Sequence, residues 1–278
     1  MERSTEQKVD IKIDQRPART EDIPSIVAMI DIIDDDDAEA CEHDFRKHGV
    51  DDHWVAFCGS KLVGVSGFRL VNNTIGSGWL SWTYVHPEFQ RQGIAQSLLM
   101  TAINSAKKKS CNQLFVKVSN YIESSGVSTY ANAIRLYEKN GFEFILKNPE
   151  LYDAKEDQLI YRLVLSNEDR PEIKDEKPNV KFTGIFELSE SDGAYTFDWD
   201  VKNNPLWGGR SFSKDDLLIG LQAVKEQGGR VVFLTFPSNW PLIHKPLQEA
   251  GFKFIGELEN YYEPGVNEMH FCHDLGDI

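Results

Sequence analysis

A polar turn between an apolar strand and an apolar helix is the part of the sequence best suited to hold an anion. The strand ends at Val85-His86-Pro87, a polar stretch leads to Gly93, and a helix begins near Ala95. Such a turn directs main-chain N–H groups, reinforced by the helix dipole, towards one point. A glycine and an alanine leave room for phosphate oxygens to approach the main chain, so the segment could hold a pyrophosphate. Taken alone, it is equally compatible with an ordinary strand–loop–helix connection.

Two motifs of this sequence resemble those of the GNAT superfamily of acyltransferases. The acetyl-CoA loop of that family has Gln or Arg, two variable residues, Gly, one variable residue, and then Gly or Ala. Gln90, Gly93 and Ala95 fit this pattern, and Val85-His86-Pro87 resembles the usual lead-in. The stretch from Ala133, AIRLYEKNGF, resembles the family's helix-to-strand motif, which ends in Tyr, three residues and Gly-Phe.

The resemblance implies an α/β (α+β) GNAT fold. In that fold a mixed, mostly antiparallel sheet is flanked by helices and splayed at the acetyl-CoA cleft. It also implies acetyl-CoA as co-substrate and no metal. Pantetheine would pair with the main chain of Tyr84 and Val85, and the Val85 N–H would stabilise the developing oxyanion. The pyrophosphate would be held by a loop and first helical turn comprising Gln90, Arg91, Gln92, Gly93, Ile94, Ala95 and Gln96.

The resemblance implies further roles later in the chain. Tyr137 stands where the family usually has the general acid that protonates the departing CoA thiolate; a purely packing role for its ring is the alternative. The family often has Asn seven residues before this Tyr, but this chain has Tyr130 there. Asn132, five residues before, is the remaining candidate for a CoA contact. The pair Ser119 and Asn120 either binds pantetheine or caps the loop.

The sequence assigns no general base. Some relatives carry a glutamate on the strand before the CoA loop, but residues 76–87 contain no carboxylate. Ser81 or Thr83 would relay a proton only through water. The aromatic residues of the strand either shape the acceptor pocket or pack on the sheet; they are Trp79, Trp82 and Tyr84. His86 is interpreted as a surface loop residue.

Hydrophobic periodicity predicts the elements that must position these residues. Alternation predicts strands over 9–13, 54–57, 61–70, 78–85, 113–118, 142–146 and 158–165, with a hairpin turn at Gly59-Ser60. Helical spacing predicts helices over 95–109 and 129–140 and an earlier helix that begins after Thr20. This order of elements is similar to that of the GNAT fold.

A charged stretch with two prolines, SNEDRPEIKDEKPN, is typical of a linker. It predicts a catalytic domain over 1–165, a linker over 166–179 and a smaller GNAT-like domain over 180–278. The last part repeats the order of strand, helix, strand and Gly-Phe found in the first, through Gly193–Val201, Ser213–Gln227, RVVFLTFPSN and LQEAGFKF. This repetition predicts a divergent duplication. Because the copy lacks an equivalent of the first helix, we expect its sheet to pack against the first domain.

The second copy has lost features of the acetyl-CoA site. Residues 202–210, KNNPLWGGR, contain Gly208-Gly209 but no clean loop pattern, and Leu247 stands where Tyr137 stood. We interpret this copy as degenerate and non-catalytic, forming a wall of the acceptor cleft. Asn260-Tyr261-Tyr262 resembles a stretch often found near the acceptor in this superfamily; a turn before the last strand is the alternative.

Composition restricts partners and compartment. The chain has 278 residues, no apolar run of membrane-spanning length and no signal-peptide core. A net charge of −14 argues against nucleic acid and is compatible with a cationic substrate. Asp34 to Asp37 are predicted to form a loop that either attracts such a substrate or is merely solvated. Four separated cysteines without metal-ligand spacing are interpreted as reduced thiols, which favours the cytoplasm.

These observations predict an acetyl-CoA-dependent N-acetyltransferase in which a primary amine attacks the thioester directly. A small-molecule amine is the first hypothesis for the acceptor, and an N-terminal or lysine amine of a protein is the alternative. A non-catalytic acetyl-CoA-binding regulatory module is a third, because no general base is assigned. We expect neither nucleic acid nor a membrane as partner, and the oligomeric state stays open, a homodimer included.

Overall fold

The computed structural model describes residues 12–166, 172–202 and 212–276. The chain forms two compact units that interleave in sequence. The first unit contains Met1–Arg69 and Leu80–Lys109, and the second contains Leu70–Trp79 and Ser110–Ile278. Within the described residues, no helix is both long and apolar enough to cross a bilayer.

The first unit is a sheet covered by helices on both faces. Its strands follow the order β1-β2-β3-β4, with β1 antiparallel to β2 and β2 antiparallel to β3. Because successive strand residues face opposite sides, Val55 packs with helices α1 and α2, whereas Ala56 packs with helix α3. The elements are β1 (Ile13–Pro17), α1 (Ile23–Asp31), α2 (Asp35–His48), β2 (His53–Cys58), β3 (Lys61–Leu70), β4 (Ser77–Val85) and α3 (Ile94–Lys108).

The predicted acidic loop at Asp34 to Asp37 is wrong, because these residues begin α2. The Asp34 side chain accepts a hydrogen bond from the Asp37 main-chain N–H at 3.0 Å and so caps the helix. The other aspartates occupy the first turn, where the helix dipole stabilises negative charge. Burial of Ala38, Cys41 and Phe45 fixes the helix on the sheet.

The second unit contains the start of β4 and every element from β5 onwards. β4 runs parallel to β5 from Ser77↔Gln113 to Trp79↔Phe115, and the order continues β5-β7-β6. A second sheet has the order β11-β12-β10-β9-β8. The elements are β5 (Gln113–Ser119), α4 (Ala131–Lys139), β6 (Glu143–Asp153), β7 (Glu156–Val164), β8 (Asn179–Glu187), β9 (Ala194–Lys202), α5 (Lys214–Glu226), β10 (Val231–Pro237), α6 (His244–Glu249), β11 (Lys253–Glu263) and β12 (Val266–Asp274).

The two sheets of the second unit share a hydrophobic core. Phe115, Leu146 and Ile160 from β5, β6 and β7 form one buried cluster with Leu258 and Tyr261 from β11. The C-terminal sheet thus packs against strands of the predicted first domain, as its missing helix led us to expect. The boundaries at 165 and 180 and the duplication itself stay predictions.

The structure describes two of three predicted features in this part of the chain, and the third lies outside the described residues. Residues 172–178 of the predicted linker have no regular structure, and β8 begins at Asn179. The stretch Asn260-Tyr261-Tyr262 lies within β11, so the alternative of a turn is wrong. Gly208-Gly209, like the first residues of the predicted strand 9–13, lies outside the described residues.

Candidate functional site

The loop between β4 and α3 presents an open helix N-terminus. Gly93 is the N-cap of α3 with φ 82°, a left-handed conformation that favours glycine. Its carbonyl accepts the Ser97 N–H at 3.0 Å, which begins the helical ladder. Helix geometry then leaves first-turn N–H groups, such as those of Ile94 and Ala95, without an acceptor inside the helix.

One side of the loop between β4 and α3 packs on the sheet, and its other side is exposed to solvent. Ile94 and Leu98 are buried with Val85 and so fix the first turn of α3 on the sheet. The polar residues of the loop are exposed; they are Gln90, Arg91, Gln92 and Gly93. An open cavity of about 280 Å³ adjoins Gly93 and is lined also by Gln15 and Ser97. This arrangement gives an anion access to the helix end.

The end of β4 has main-chain donors on its edge away from β3. The His86 N–H donates to the Val63 carbonyl of β3 at 3.0 Å. Because N–H directions alternate along a strand, the Val85 and Thr83 N–H groups point to the opposite edge. The Gln90 side-chain amide donates to the Val85 carbonyl at 3.2 Å and thereby links the loop to the strand.

His86 is not the surface residue that the sequence suggested. Its side chain is buried, its ring packs edge-on against Phe89, and its Nδ1 accepts the Glu88 N–H at 3.3 Å. His86 therefore caps the short 3-10 helix Pro87–Phe89. The physical reason is that its ring satisfies a local N–H while filling space under the turn.

An irregularity in β4 directs several side chains towards α2. Trp82 has φ 51°, which is unusual for a residue other than glycine and is typical of a β-bulge. The Trp82 indole N–H donates to Asp44 at 2.7 Å, and the Tyr84 hydroxyl donates to Asp37. Ser81 faces the same side as these residues, because its hydroxyl contacts His53, whose ring packs on Phe45 of α2.

Asp44 accepts hydrogen bonds from three donors, of which the two on β3 and β4 join α2 to the strands. Besides Trp82, it accepts hydrogen bonds from Arg69 at 2.9 Å and from His48 at 2.9 Å. Burial opposes ionisation of Asp44, but these hydrogen bonds outweigh it and lower the carboxyl pKa. Asp44 is thus a fixed anion beside the aromatic residues of β4.

His53 lies behind Ser81 and was missed by sequence reasoning. Its ring is 1% exposed, its Nδ1 lies 2.9 Å from the Asp51 carbonyl oxygen, and its Nε2 lies 2.6 Å from the Ser81 hydroxyl. Burial lowers the His53 pKa to about 4. No local pattern pairs two residues 28 positions apart, so the sequence offered no signal for this contact.

The other predicted site residues belong to the second unit. Tyr137 is buried on α4, with its ring 5.6 Å from that of Phe142, as in the packing alternative. Asn132 is exposed on the same helix. Since the two are five positions apart, about 140° around a helix of 3.6 residues per turn, they lie on different faces.

Asn120 and Ser119 close the end of β5. The Asn120 side chain donates to the Asp157 carboxylate at 3.0 Å and accepts the Asp157 N–H at 2.7 Å. The Ser119 hydroxyl accepts the Tyr121 N–H at 2.8 Å, which is the capping alternative. Both side chains therefore hold the loop after β5.

Trp79 packs in the second unit, which is the packing alternative of the two roles considered for it. Its indole N–H donates to the Tyr261 hydroxyl at 3.0 Å, and its ring lies 5.2 Å from that of Phe115. Burial raises the Tyr261 pKa, so this phenol stays neutral. Trp79 is a core residue of the second unit.

Comparison with models of protein families identifies the family to which the two sequence motifs belong. Residues 49–144 match the model of the acetyltransferase (GNAT) domain, and this range contains both motifs. The chain carries a GNAT acetyltransferase domain. It is accordingly an N-acetyltransferase that uses acetyl-CoA as co-substrate and acts on amines.

Solved structures similar to the GNAT domain cover a little over half of this chain. A protein of the GNAT family from Desulfovibrio desulfuricans is 21% identical, with TM-score 0.49, over 56% of this chain and 100% of its own. The ribosomal-protein-S18-alanine N-acetyltransferase from Escherichia coli is 21% identical, with TM-score 0.45, over 57% and 97%. The protein yncA from Salmonella typhimurium, solved with its cofactor acetyl-CoA, is 20% identical, with TM-score 0.45, over 58% and 98%. A search of curated protein sequences gives no match.

Proposed function

We propose that acetyl-CoA binds at the loop between β4 and α3 and that a small-molecule primary amine accepts its acetyl group. The observation that carries this proposal is the exposed left-handed N-cap at Gly93, which directs the first-turn amides of α3 outward. A diphosphate at this point satisfies the amides and is attracted by the helix dipole. Arg91, Gln92 and Gln96 flank the same point.

The main chain of β4 is the proposed site for pantetheine and thioester. Tyr84 and Val85 would pair with pantetheine, and the Val85 N–H would stabilise the oxyanion as the carbonyl becomes tetrahedral. The direction of the His86 N–H, which occupies the β3 edge, supports this assignment. The Thr83 N–H points, like that of Val85, to the edge away from β3 and is a second donor for the developing charge.

Tyr137 is the proposed general acid for the CoA thiolate. Its support is its place in the second motif, since its buried ring also has a packing role. Asn132 is exposed and available for a CoA contact. Asn120 would have to release a hydrogen bond from Asp157 before it could bind pantetheine.

The acidic surface supports a cationic acceptor. Asp37 and Asp44 accept hydrogen bonds from Tyr84 and Trp82, so carboxylates stand beside the aromatic side chains of β4. The field of these acids favours an ammonium group before it loses its proton to attack. A protein amine would be drawn to the same side, which keeps the N-terminal or lysine acceptor as the second candidate. The part after residue 180 is proposed to be non-catalytic.

Two measurements on the purified chain test the proposal. Calorimetry should show acetyl-CoA binding, and CoA release should be followed with spermidine, tyramine and short peptides bearing one free N-terminal or lysine amine. Release with spermidine or tyramine supports the small-molecule acceptor, and release with peptides alone supports the second candidate. Binding without transfer to any amine would instead favour a regulatory module, and no binding would refute the site.

A further inference from the structure

We propose that Ser81, backed by His53, accepts the proton that the amine loses during acetyl transfer. This inference rests on the proposed function, because it requires an amine attacking acetyl-CoA beside β4. It supplies the base that the sequence could not assign, since residues 76–87 contain no carboxylate.

The hydrogen bonds of His53 determine the direction of the Ser81 hydroxyl. A main-chain carbonyl only accepts hydrogen bonds, so the 2.9 Å contact with Asp51 requires the proton of the neutral ring to be on Nδ1. Nε2 then has a lone pair, and the Ser81 hydroxyl donates to it across 2.6 Å. The Ser81 Oγ lone pairs are left to accept a hydrogen bond from another donor.

The His53 ring is fixed by its neighbours. Phe45 packs edge-on at a centroid distance of 4.8 Å, and the ring is 1% exposed. A Cβ at Gly67 would lie 2.3 Å from the ring, so glycine is required on β3 at this point. A base oriented in this way by a third group, here the Asp51 carbonyl, is the arrangement that activates hydroxyl groups in enzymes.

Charged groups around His53 allow it to take up a proton transiently. Burial and Arg69 of β3 disfavour the imidazolium, whereas Asp44 of α2 and Asp52 of the preceding turn favour it. The ring is therefore neutral at pH 7, with its lone pair available. When it is protonated, two carboxylates compensate part of the cost.

The position of Ser81 on β4 suits proton transfer through water. Its side chain is half-buried. It precedes Thr83 by two residues, and even a fully extended chain of about 3.3–3.6 Å per residue puts them at most roughly 7 Å apart. A hydrogen-bonded chain of two waters, at about 2.8 Å for each hydrogen bond, spans up to roughly 8 Å and so crosses that separation.

The proposed step conserves atoms and charge. The amine nitrogen forms a bond to the thioester carbon, and the C–S bond breaks with its electron pair leaving on sulfur. The proton lost by nitrogen passes through water to Ser81 Oγ, while the Ser81 proton moves to His53 Nε2. The imidazolium returns a proton by the same path to solvent.

Four variants distinguish a role of Ser81 and His53 in proton uptake from a purely structural role. Turnover is measured with the fastest amine of the panel, or as acetyl-CoA hydrolysis if no amine reacts. Ser81→Ala and His53→Gln should each lower kcat by about 100-fold or more, within the range expected for a lost base. Their calorimetric affinity for acetyl-CoA should not change. The glutamine oxygen still accepts the Ser81 hydrogen bond but takes no proton at pH 7, so a His53→Gln enzyme with normal kcat would overturn the proposal. Ser81→Thr keeps a hydroxyl and should retain more activity than Ser81→Ala, whereas the control hydroxyl deletion Ser105→Ala on α3, half-buried like Ser81, should stay within about threefold of the parent.

A spectroscopic measurement on the unmodified protein guards against variants that fail to fold. Nitrogen-15 NMR of the histidine rings should show His53 as the Nδ1–H tautomer and still neutral at pH 5.5. A ring protonated on Nε2 would reverse the hydrogen bond to Ser81 and refute the proposal. Failure of the unmodified chain to bind acetyl-CoA would instead refute the proposed function.

Discussion

Gly93 is the residue on which the acetyl-CoA proposal most directly depends. A Cβ added there would meet no atom within 4 Å, so a side chain has space. The cost of substitution comes from φ 82°, which L-residues rarely adopt. A change at Gly93 can therefore separate backbone strain from interference with a ligand.

We predict that Gly93→Glu abolishes measurable acetyl-CoA binding. Its carboxylate would occupy the helix N-terminus and repel the diphosphate, whereas Gly93→Ala adds only the backbone strain, roughly 1 kcal/mol. Calorimetry should therefore detect binding by the alanine variant and none by the glutamate variant. Equal affinities in the two variants would reject the loop as the diphosphate site.

A second residue-scale prediction concerns Tyr137. The phenylalanine variant keeps the ring that packs on Phe142 and removes the hydroxyl, so stability should change by less than about 1 kcal/mol. If Tyr137 protonates the thiolate, kcat should fall at least tenfold with acetyl-CoA affinity unchanged. An unaltered maximal rate would assign protonation of the thiolate to solvent or another group.

Candidate site residues that lie in one contiguous segment could be identified from the sequence, whereas those that meet as distant pairs could not. Gln90, Gly93 and Ala95 form a local pattern because one turn of main chain needs them at fixed spacing. The contact between His53 and Ser81 depends on how β2 and β4 are placed in the sheet. No propensity of either residue encodes that placement.

At the scale of elements, the charged residues of α2 are distributed so that they stabilise the helix. Its first turn contains Asp35, Asp36 and Asp37, and its last turn contains Arg46, Lys47 and His48. This distribution complements the helix dipole at both ends. The sequence indicated a loop because the apolar residues are few, yet the buried positions 38, 41 and 45 keep helical spacing.

We predict that Asp34→Ala destabilises the chain by about 1 kcal/mol through loss of the N-cap of α2. Asp34→Ser should restore most of the loss, since serine also caps. Urea unfolding of the three proteins measures the difference. An alanine variant as stable as the parent would show that α2 does not depend on this cap.

The strands were predicted more accurately than the acidic helix. The hairpin of β2 and β3 and the strand β4 agree with sequence periodicity to within one residue at most ends. The later strand β6 reaches Asp153, well beyond the predicted end at 146. Its extension has mixed polarity because it pairs with β7 while its outer residues stay exposed, so alternation alone could not follow it.

At the scale of the whole molecule, the shared core of the second unit couples the middle of the chain to its C-terminal part. Leu258 is fully buried among Phe115, Leu146 and Ile160. The C-terminal sheet is thus a structural support for β5, β6 and β7. Loss of that support should reach strands that lie about 100–140 residues earlier in the chain.

We predict that Leu258→Ala costs about 2–5 kcal/mol, the usual range for a buried leucine. Hydrogen exchange followed by mass spectrometry should accelerate both in β11 and in β5 and β7. Ile219→Ala, at a position 57% exposed, is the surface control. Faster exchange confined to residues after 180 would show two independently stable domains.

The Ser77 hydroxyl donates to the Tyr261 carbonyl, 184 positions later in the chain. A ribosome adding about 5–20 residues per second takes roughly 10–40 s to synthesise that interval. Once Phe115 has been synthesised, the nascent polypeptide exposes it and its neighbours until the strand that carries Leu258 and Tyr261 has been made. Newly made chains should therefore depend on chaperones until translation is nearly finished.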